Sequence, residues 1–493
     1  MGRSGLHASG YVGRTVEDSR SQEPEQGLLA DQLGTLDLTA STVANIGLGI
    51  DFYFGFGVIV FTAGVGAPLT ILAAALAIGL LAWTVSEFTR AEPSAGSFIT
   101  YVESAFGRTS GAVITYLVTI GYTIAMAGVI TMCGGFLSLT IGHFTSTSVP
   151  WILPTIVIAL AGLWLMVRGV KLSTSAVAAA VVIQIVIMVI ICALVLVEQR
   201  GHLSLEPFRW SAVTGKLAGL SAGFPLALYM FIGWENSPSL AEETRDPVRT
   251  IPRALFISIA LTTLLFVLFA YSTIVGFHYD VSSVGRSSIP FLTVADHVLG
   301  PVAIVAWIAG IVSVLATFVA GTTSQARMVF DGGREGFLPR RFGTTHRAHG
   351  TPVVALGFIV MVGIAVILAW GIAHWLGAGA GSMDPVGLYA ECSTLGTIII
   401  LFVYMATNLS LPFFIWQRHR AMFSAVRHVL IPLLGMAALI VPFVELFHPG
   451  QSAPYDLFPF LALAVLLVCM VAASATQRAR RKRAREGAVE LQK

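Results

Sequence analysis

Residues 181 to 197 read "VVIQIVIMVIICALVLV", seventeen positions with one polar side chain and no charge. Such a run belongs either in the core of a large domain or in a bilayer, and recurrence decides between them. Segments of about twenty predominantly apolar residues return twelve times between Leu38 and Ala475. Only 11% of the 493 residues are charged, whereas soluble domains carry roughly a quarter. The fold class is therefore all-α integral membrane, since a helix satisfies its own backbone in hydrocarbon. The expected spans are 41 to 64, 68 to 89, 111 to 140, 150 to 167, 173 to 197, 217 to 240, 254 to 277, 301 to 328, 352 to 373, 386 to 407, 429 to 447 and 457 to 476.

The segments between the spans set the orientation. With both termini on the cytoplasmic side, 25 of the 29 Lys and Arg residues fall on that side, and Arg200, Arg209, Lys216 and Arg286 fall outside. That asymmetry follows the positive-inside rule. The polar start has no apolar run ending in a small-residue cleavage site, so no signal peptide is expected. The run "RARRKRAR" at 478 to 485 reads as a stop signal or an anionic-lipid contact rather than a nucleic-acid patch. Cys133, Cys192, Cys392 and Cys469 all lie in spans at no metal-ligand spacing, so neither a disulfide nor a metal is implied. The 49 glycines suit helices that approach closely without a hydrophobic force between them.

Four regions are expected. Residues 1 to 34 form a disordered cytoplasmic tail, 35 to 412 a transport core of ten helices, 413 to 476 two further helices, and 477 to 493 a basic tail. "GSFITYVESAFG" at 96 to 107 and "PFLTVADHVLG" at 290 to 300 read as short amphipathic helices on the inner and outer faces. Two spans differ from the rest. The first holds "NIGLGIDFYFGFG" from Asn45 to Gly57, and the sixth holds "FIGWENSPS" from Phe231 to Ser239. Each combines helix-weakening glycine with an acid, and each is expected to be a broken helix. Five spans separate them, an odd displacement, so the second would enter the membrane in the opposite direction. Two five-helix repeats related by a two-fold axis in the membrane plane would place a binding site where the breaks meet.

The stretch "FIGWENSPSLAEETRDPVRTIPRAL" at 231 to 255, with "SQARMVFDGGREGFLPRRF" at 324 to 342, "GTPVVAL" at 350 to 356 and "PSAGSF" at 93 to 98, resembles the amino acid/polyamine/organocation (APC) permeases. The resemblance runs from about Leu33 to residue 476. It implies the LeuT-like fold of twelve helices, five plus five in inverted repeat with helices 1 and 6 broken, plus two extra helices.

A helix break exposes N–H groups on one side and C=O groups on the other, with matching dipoles. In the family such a pair of breaks holds a zwitterion, and the matching backbone here is Asn45, Ile46, Gly47, Leu48, Gly49, Ile50 and Asp51 with Phe231, Ile232, Gly233, Trp234 and Glu235. The usual first-span pattern is Gly-Ser-Gly-Ile-Phe or its Thr form, but this chain reads Gly47-Leu48-Gly49-Ile50-Asp51. A carboxylate at a helix centre costs about 2.5 to 3.5 kcal/mol on insertion scales, so Asp51 needs a role. It could meet a cationic amine, bind a proton, or cap the second half-helix.

The resemblance implies substrate binding or proton response for Glu235 and stacking on substrate for Tyr229. Some proton-coupled members carry a lysine in the fifth span where alignment places Gln184. Sodium-coupled branches use eighth-span hydroxyls, for which Ser313 and Thr317 share a helical face, although such hydroxyls commonly bond to their own backbone.

No "GxxxxGK[ST]" or "HExxH" is present, and no enzyme activity or cofactor is implied. The expected function is secondary active transport of amino acids by alternating access. The alternatives are an amine, polyamine or cationic amino acid exchanger, and a ligand sensor that does not transport. The expected partners are a small-molecule substrate and the lipid bilayer, with proton coupling an open possibility. Neither the substrate nor the oligomeric state is legible.

Overall fold

The computed structural model describes residues 33–93, 97–169, 174–346, 349–376 and 384–490. Most of the expected amino-terminal tail and part of "PSAGSF" lie outside these. The helices are α1 (Thr35–Asn45), α2 (Leu48–Ala63), α3 (Ala67–Ala91), α4 (Ser97–Phe106), α5 (Arg108–Thr145), α6 (Ile152–Val167), α7 (Thr174–Glu198), α8 (Leu217–Tyr229), α9 (Asn236–Ser239), α10 (Pro247–Gly276), α11 (Val281–Arg286), α12 (Pro290–Leu299), α13 (Ile304–Arg334), α14 (Val353–Trp375), α15 (Pro385–Arg418), α16 (Ile431–Glu445) and α17 (Phe458–Glu490). Among the described residues, nine helices are long and apolar enough to cross a membrane, and Ile152–Val167 and Leu217–Tyr229 are shorter apolar helices beside them. One of the nine, Leu48–Ala91, runs α2 into α3 through a 3₁₀ turn at Gly64–Gly66.

The centre of the bundle is α5. Its 38 residues rise about 57 Å at 1.5 Å each, and it packs along α15, α13 and α14. Its inner stretch is rich in small residues, and a Cβ on Gly128 would lie 3.0 Å from the Tyr389 carbonyl, so α15 approaches almost backbone to backbone. The outward faces of α6, α7 and α17 expose Trp164, Ile183, Val186 and Val471, the apolar surface a bilayer requires.

Several ends follow from local chemistry. Asp384 caps α15 by accepting from Val386 N and Gly387 N at 3.2 and 3.3 Å, with Pro385 at the first helical position, where its missing N–H costs nothing. The short helices expected at 96 to 107 and 290 to 300 are α4 and α12. α4 buries Phe98, Tyr101 and Val102 and stacks Tyr101 on Phe88 at 4.4 Å.

Both expected breaks occur. α1 ends at Asn45, Ile46 is extended, and α2 starts at Leu48. The sixth span breaks at Met230, but its second half is not a membrane-length helix: α9 has four residues and gives way to a 3₁₀ turn at Ala241–Glu243. Its sequence, "NSPS", offers polar side chains that compete with the backbone and a proline that removes a donor.

Two features at the chain ends add to the expected regions. Leu33, assigned to the tail, forms a parallel bridge with Thr244, with Leu33 N donating to Glu243 O and Arg245 N to Leu33 O, both at 3.0 Å. At the other end α17 continues as helix to Glu490, because Ala, Arg, Lys and Glu are good helix formers and extension from an existing helix needs no new nucleus.

A buried ion network ties α3 to the segment leading into α16. Glu87, 2% exposed, accepts from Arg90 at 2.5 Å, Arg427 at 2.9 Å and His428 Nε2 at 3.0 Å. Ser424 N donates to His428 Nδ1 at 2.9 Å, so Nδ1 is the acceptor and Nε2–H the donor of that imidazole.

Candidate functional site

The two breaks face each other. Gly233 lies at φ +108°, and a Cβ there would stand 2.7 Å from the Asn45 carbonyl oxygen and 2.9 Å from Ile46 N. Only glycine permits that approach. Asn45 Nδ2 reaches the Gly233 carbonyl at 3.4 Å, and Thr42 Oγ1 meets Ser237 Oγ at 2.6 Å one turn away.

A small pocket sits where the breaks meet, lined by Asn45, Gly47, Asp51, Tyr229, Ile232, Gly233 and Glu235 from the breaks, with residues of α5 and α13 completing the wall. Glu235, 8% exposed, accepts from Tyr122 Oη at 2.5 Å and from Gly233 N at 3.0 Å. It thereby satisfies an amide freed by its own helix break. Asp51, 4% exposed, accepts from Tyr389 Oη at 3.0 Å. It does not cap α2, because Gly47 occupies the capping position and no side-chain cap bond forms; that sequence alternative is set aside. Among the described residues neither acid has an ion-pair partner, and the buried ion pairs gather at Glu87 instead. The pocket thus holds two buried, hydrogen-bonded carboxyl groups and, among the described lining residues, no basic side chain.

Other expected residues are divided between this pocket and its surroundings. Ile46, Gly47 and Leu48 line a neighbouring cavity with Gln184, Ser313 and Thr317, and Thr317 borders both. Gln184 Nε2 has no hydrogen-bond partner and fills the space beside Gly49, where a Cβ would fall on it. Ile50 packs its Cγ2 against Gly47. The side chains of Phe231 and Trp234, whose backbone was expected at the site, turn away from the pocket. Phe231 turns to Phe266 of α10, rings 5.5 Å apart, and Trp234 packs on Phe98 and donates to Tyr404 Oη at 3.3 Å. They lie on the outside of the turn, and its inner surface is backbone.

Sequence reasoning missed the walls. Tyr122, Met126 and Val129 share one face of α5, and Gly321, Ser324, Gln325 and Met328 share one face of α13. The i, i+3, i+4, i+7 spacing with polar residues inside a span was the available signal. Tyr389 carried none, being one aromatic in a long apolar helix. Beyond the pocket, the rings of Tyr229, Tyr389 and Phe54 form a chain, 6.0 and 5.7 Å between centroids, and Phe54 borders a larger cavity on the far side.

A helical membrane bundle with a pocket between two broken helices defines a transporter-like class of protein. Comparison with known proteins agrees. Residues 33–472 match the family model described as amino acid permease, and the chain belongs to that family, within the APC permeases. It is 26% identical over 425 residues to the branched-chain amino acid permease BcaP of Bacillus subtilis, covering 80% of this chain and 83% of that one. It is also 26% identical over 344 residues to the low-affinity putrescine importer PlaP of Escherichia coli K12, covering 67% and 74%. Among solved structures, a manganese transporter mutant from Eremococcus coleocola shares the fold at a TM-score of 0.53 and 10% identity, over 92% of this chain and 98% of that one.

Proposed function

We propose that this permease is a secondary active transporter that carries amino acids across the cytoplasmic membrane by alternating access, with twelve crossings and both termini in the cytoplasm. The observation that carries the reading is the meeting of two helix breaks around a pocket that holds Asp51 and Glu235 and, among the described lining residues, no basic side chain. Exposed N–H groups at the start of α2 receive a substrate carboxylate, and carbonyls at the breaks receive its ammonium. Glu235 already bonds the Gly233 amide, so a change in its protonation alters how the second break is held and couples a proton to the cycle. The ring chain of Tyr229, Tyr389 and Phe54 separates the pocket from the larger cavity, as an occluding layer must.

A second reading has its own support. Two unpaired carboxylates suit a cationic amine better than a zwitterion, and one relative is named as a putrescine importer. Uptake into proteoliposomes with amino acids and diamines as separate substrates tests both. Accumulation of an amino acid supports the first reading and accumulation of diamine alone the second. Binding of either without accumulation marks a sensor and refutes transport.

A further inference from the structure

Of the buried polar side chains in the spans, some bond within their own helix, and others, such as Thr70, Ser258 and Thr262, have no partner among the described residues. Thr123 donates to Thr119 O and Thr397 to Ser393 O within their own helices. Gln325 does not follow them. It lies on α13, is 8% exposed, and borders the central pocket opposite the breaks. Its Oε1 is buried and accepts no hydrogen bond. Leaving a buried carbonyl unsatisfied costs about 1–3 kcal/mol, and a methionine would fill the position without that cost, as Met126 and Met328 do on the same wall. One turn earlier stands Gly321, where a Cβ would meet only the end of the Met126 side chain at 2.7 Å. The place of its missing side chain is taken by the Met126 methyl, which is flexible.

We propose that Gln325 is a specificity-determining residue of this permease. Its carbonyl accepts a hydrogen bond from the substrate's own side chain, so the pocket prefers amino acids bearing a side-chain N–H or O–H over aliphatic ones of the same size. The inference rests on the reading of the pocket as an amino acid site. The breaks hold the ammonium and carboxylate common to all amino acids, and α13 reads what differs among them. A site built around a hydrogen bond rejects a ligand that lacks it, because the protein group is then buried unpaired. In this the chain would part from a relative named for branched-chain substrates.

Matched pairs of amino acids test it: threonine against valine, and glutamine against methionine, competing for uptake in proteoliposomes. The wild-type protein should favour the polar member of each pair by about tenfold or more, and Gln325→Met should bring the ratio near one. Equal competition within pairs in the wild type, or an unchanged ratio in Gln325→Met, overturns the proposal and leaves the carboxamide satisfied by water. If Gln325→Met does not fold, Gln325→Glu keeps size and acceptor and adds a charge. It should raise competition by ornithine relative to glutamine about tenfold, and no change refutes the role. Failure of every amino acid to compete in the wild type would instead remove the amino acid reading itself.

Discussion

Replacing Gly233 by alanine tests the meeting of the breaks with a single methyl group. Two costs add. The residue sits at φ +108°, where a non-glycine residue is strained by about 1–3 kcal/mol. The new Cβ would lie 2.7, 2.8 and 2.9 Å from Asn45 O, Asn45 C and Ile46 N. All three are backbone atoms that cannot rotate aside, and overpacking of this kind costs about 1–3 kcal/mol more. The expected loss is therefore about 2–6 kcal/mol, taken from the seam that positions the pocket. Gly49→Ala is the control. Its Cβ would fall on Gln184 Nε2 and stand 2.7 Å from Gln184 Cδ and 2.9 Å from Ser313 Oγ, all side-chain atoms that can shift where the backbone at Gly233 cannot. Thermal unfolding in detergent and uptake in proteoliposomes should both fall sharply in Gly233→Ala and modestly in Gly49→Ala. Wild-type unfolding and uptake in Gly233→Ala, or a larger loss in Gly49→Ala, would show that the breaks do not rely on this contact.

Asp51→Asn keeps an acceptor for Tyr389 and removes a charge, so affinity for a neutral amino acid should fall less than tenfold, or about 1.4 kcal/mol. A hundredfold fall, with neutral amino acids failing to compete, would select an amine substrate. Glu235→Gln should flatten the pH dependence of uptake while ligand binding survives, and an unchanged pH profile would place the proton response on another group. Glu87→Gln leaves Arg90, Arg427 and His428 without their shared carboxylate; because the two arginines are partly exposed, the loss is that of hydrogen bonds to a charged group, about 1.5–3 kcal/mol, and a drop in the unfolding midpoint is expected. An unchanged midpoint would mean that the network contributes specificity of packing rather than stability.

The membrane class, the breaks and most span positions were legible because each rests on local pattern: apolar length, or glycine beside an acid. The backbone at the breaks was expected from the family resemblance, and the direction of the Phe231 and Trp234 side chains was not legible, because a turn has an inside and an outside and adjacency to Gly233 does not say which. The partners of Asp51 and Glu235, Tyr389 and Tyr122, were not legible. They come from helices 338 and 113 residues away, and nothing in their immediate neighbours distinguishes them from ordinary bundle aromatics. The short second half of the sixth span could have been read from "NSPS", had proline and serine been weighed over the apolar residues before them.

The bonds between the first and second breaks form a seam with three stitches. Leu33 is sewn to residues 243–245, Thr42 to Ser237, and Asn45 to Gly233, at both ends and the middle of one short half-helix. On the other side of the breaks α2 packs along α8. The chain is therefore cut into two bound pairs rather than four loose pieces, and any rocking must bend at Ile46–Gly47 and Met230–Glu235 together. Opening one break alone would tear the seam. The two breaks work as a single hinge pin, and a load applied to either is delivered to both.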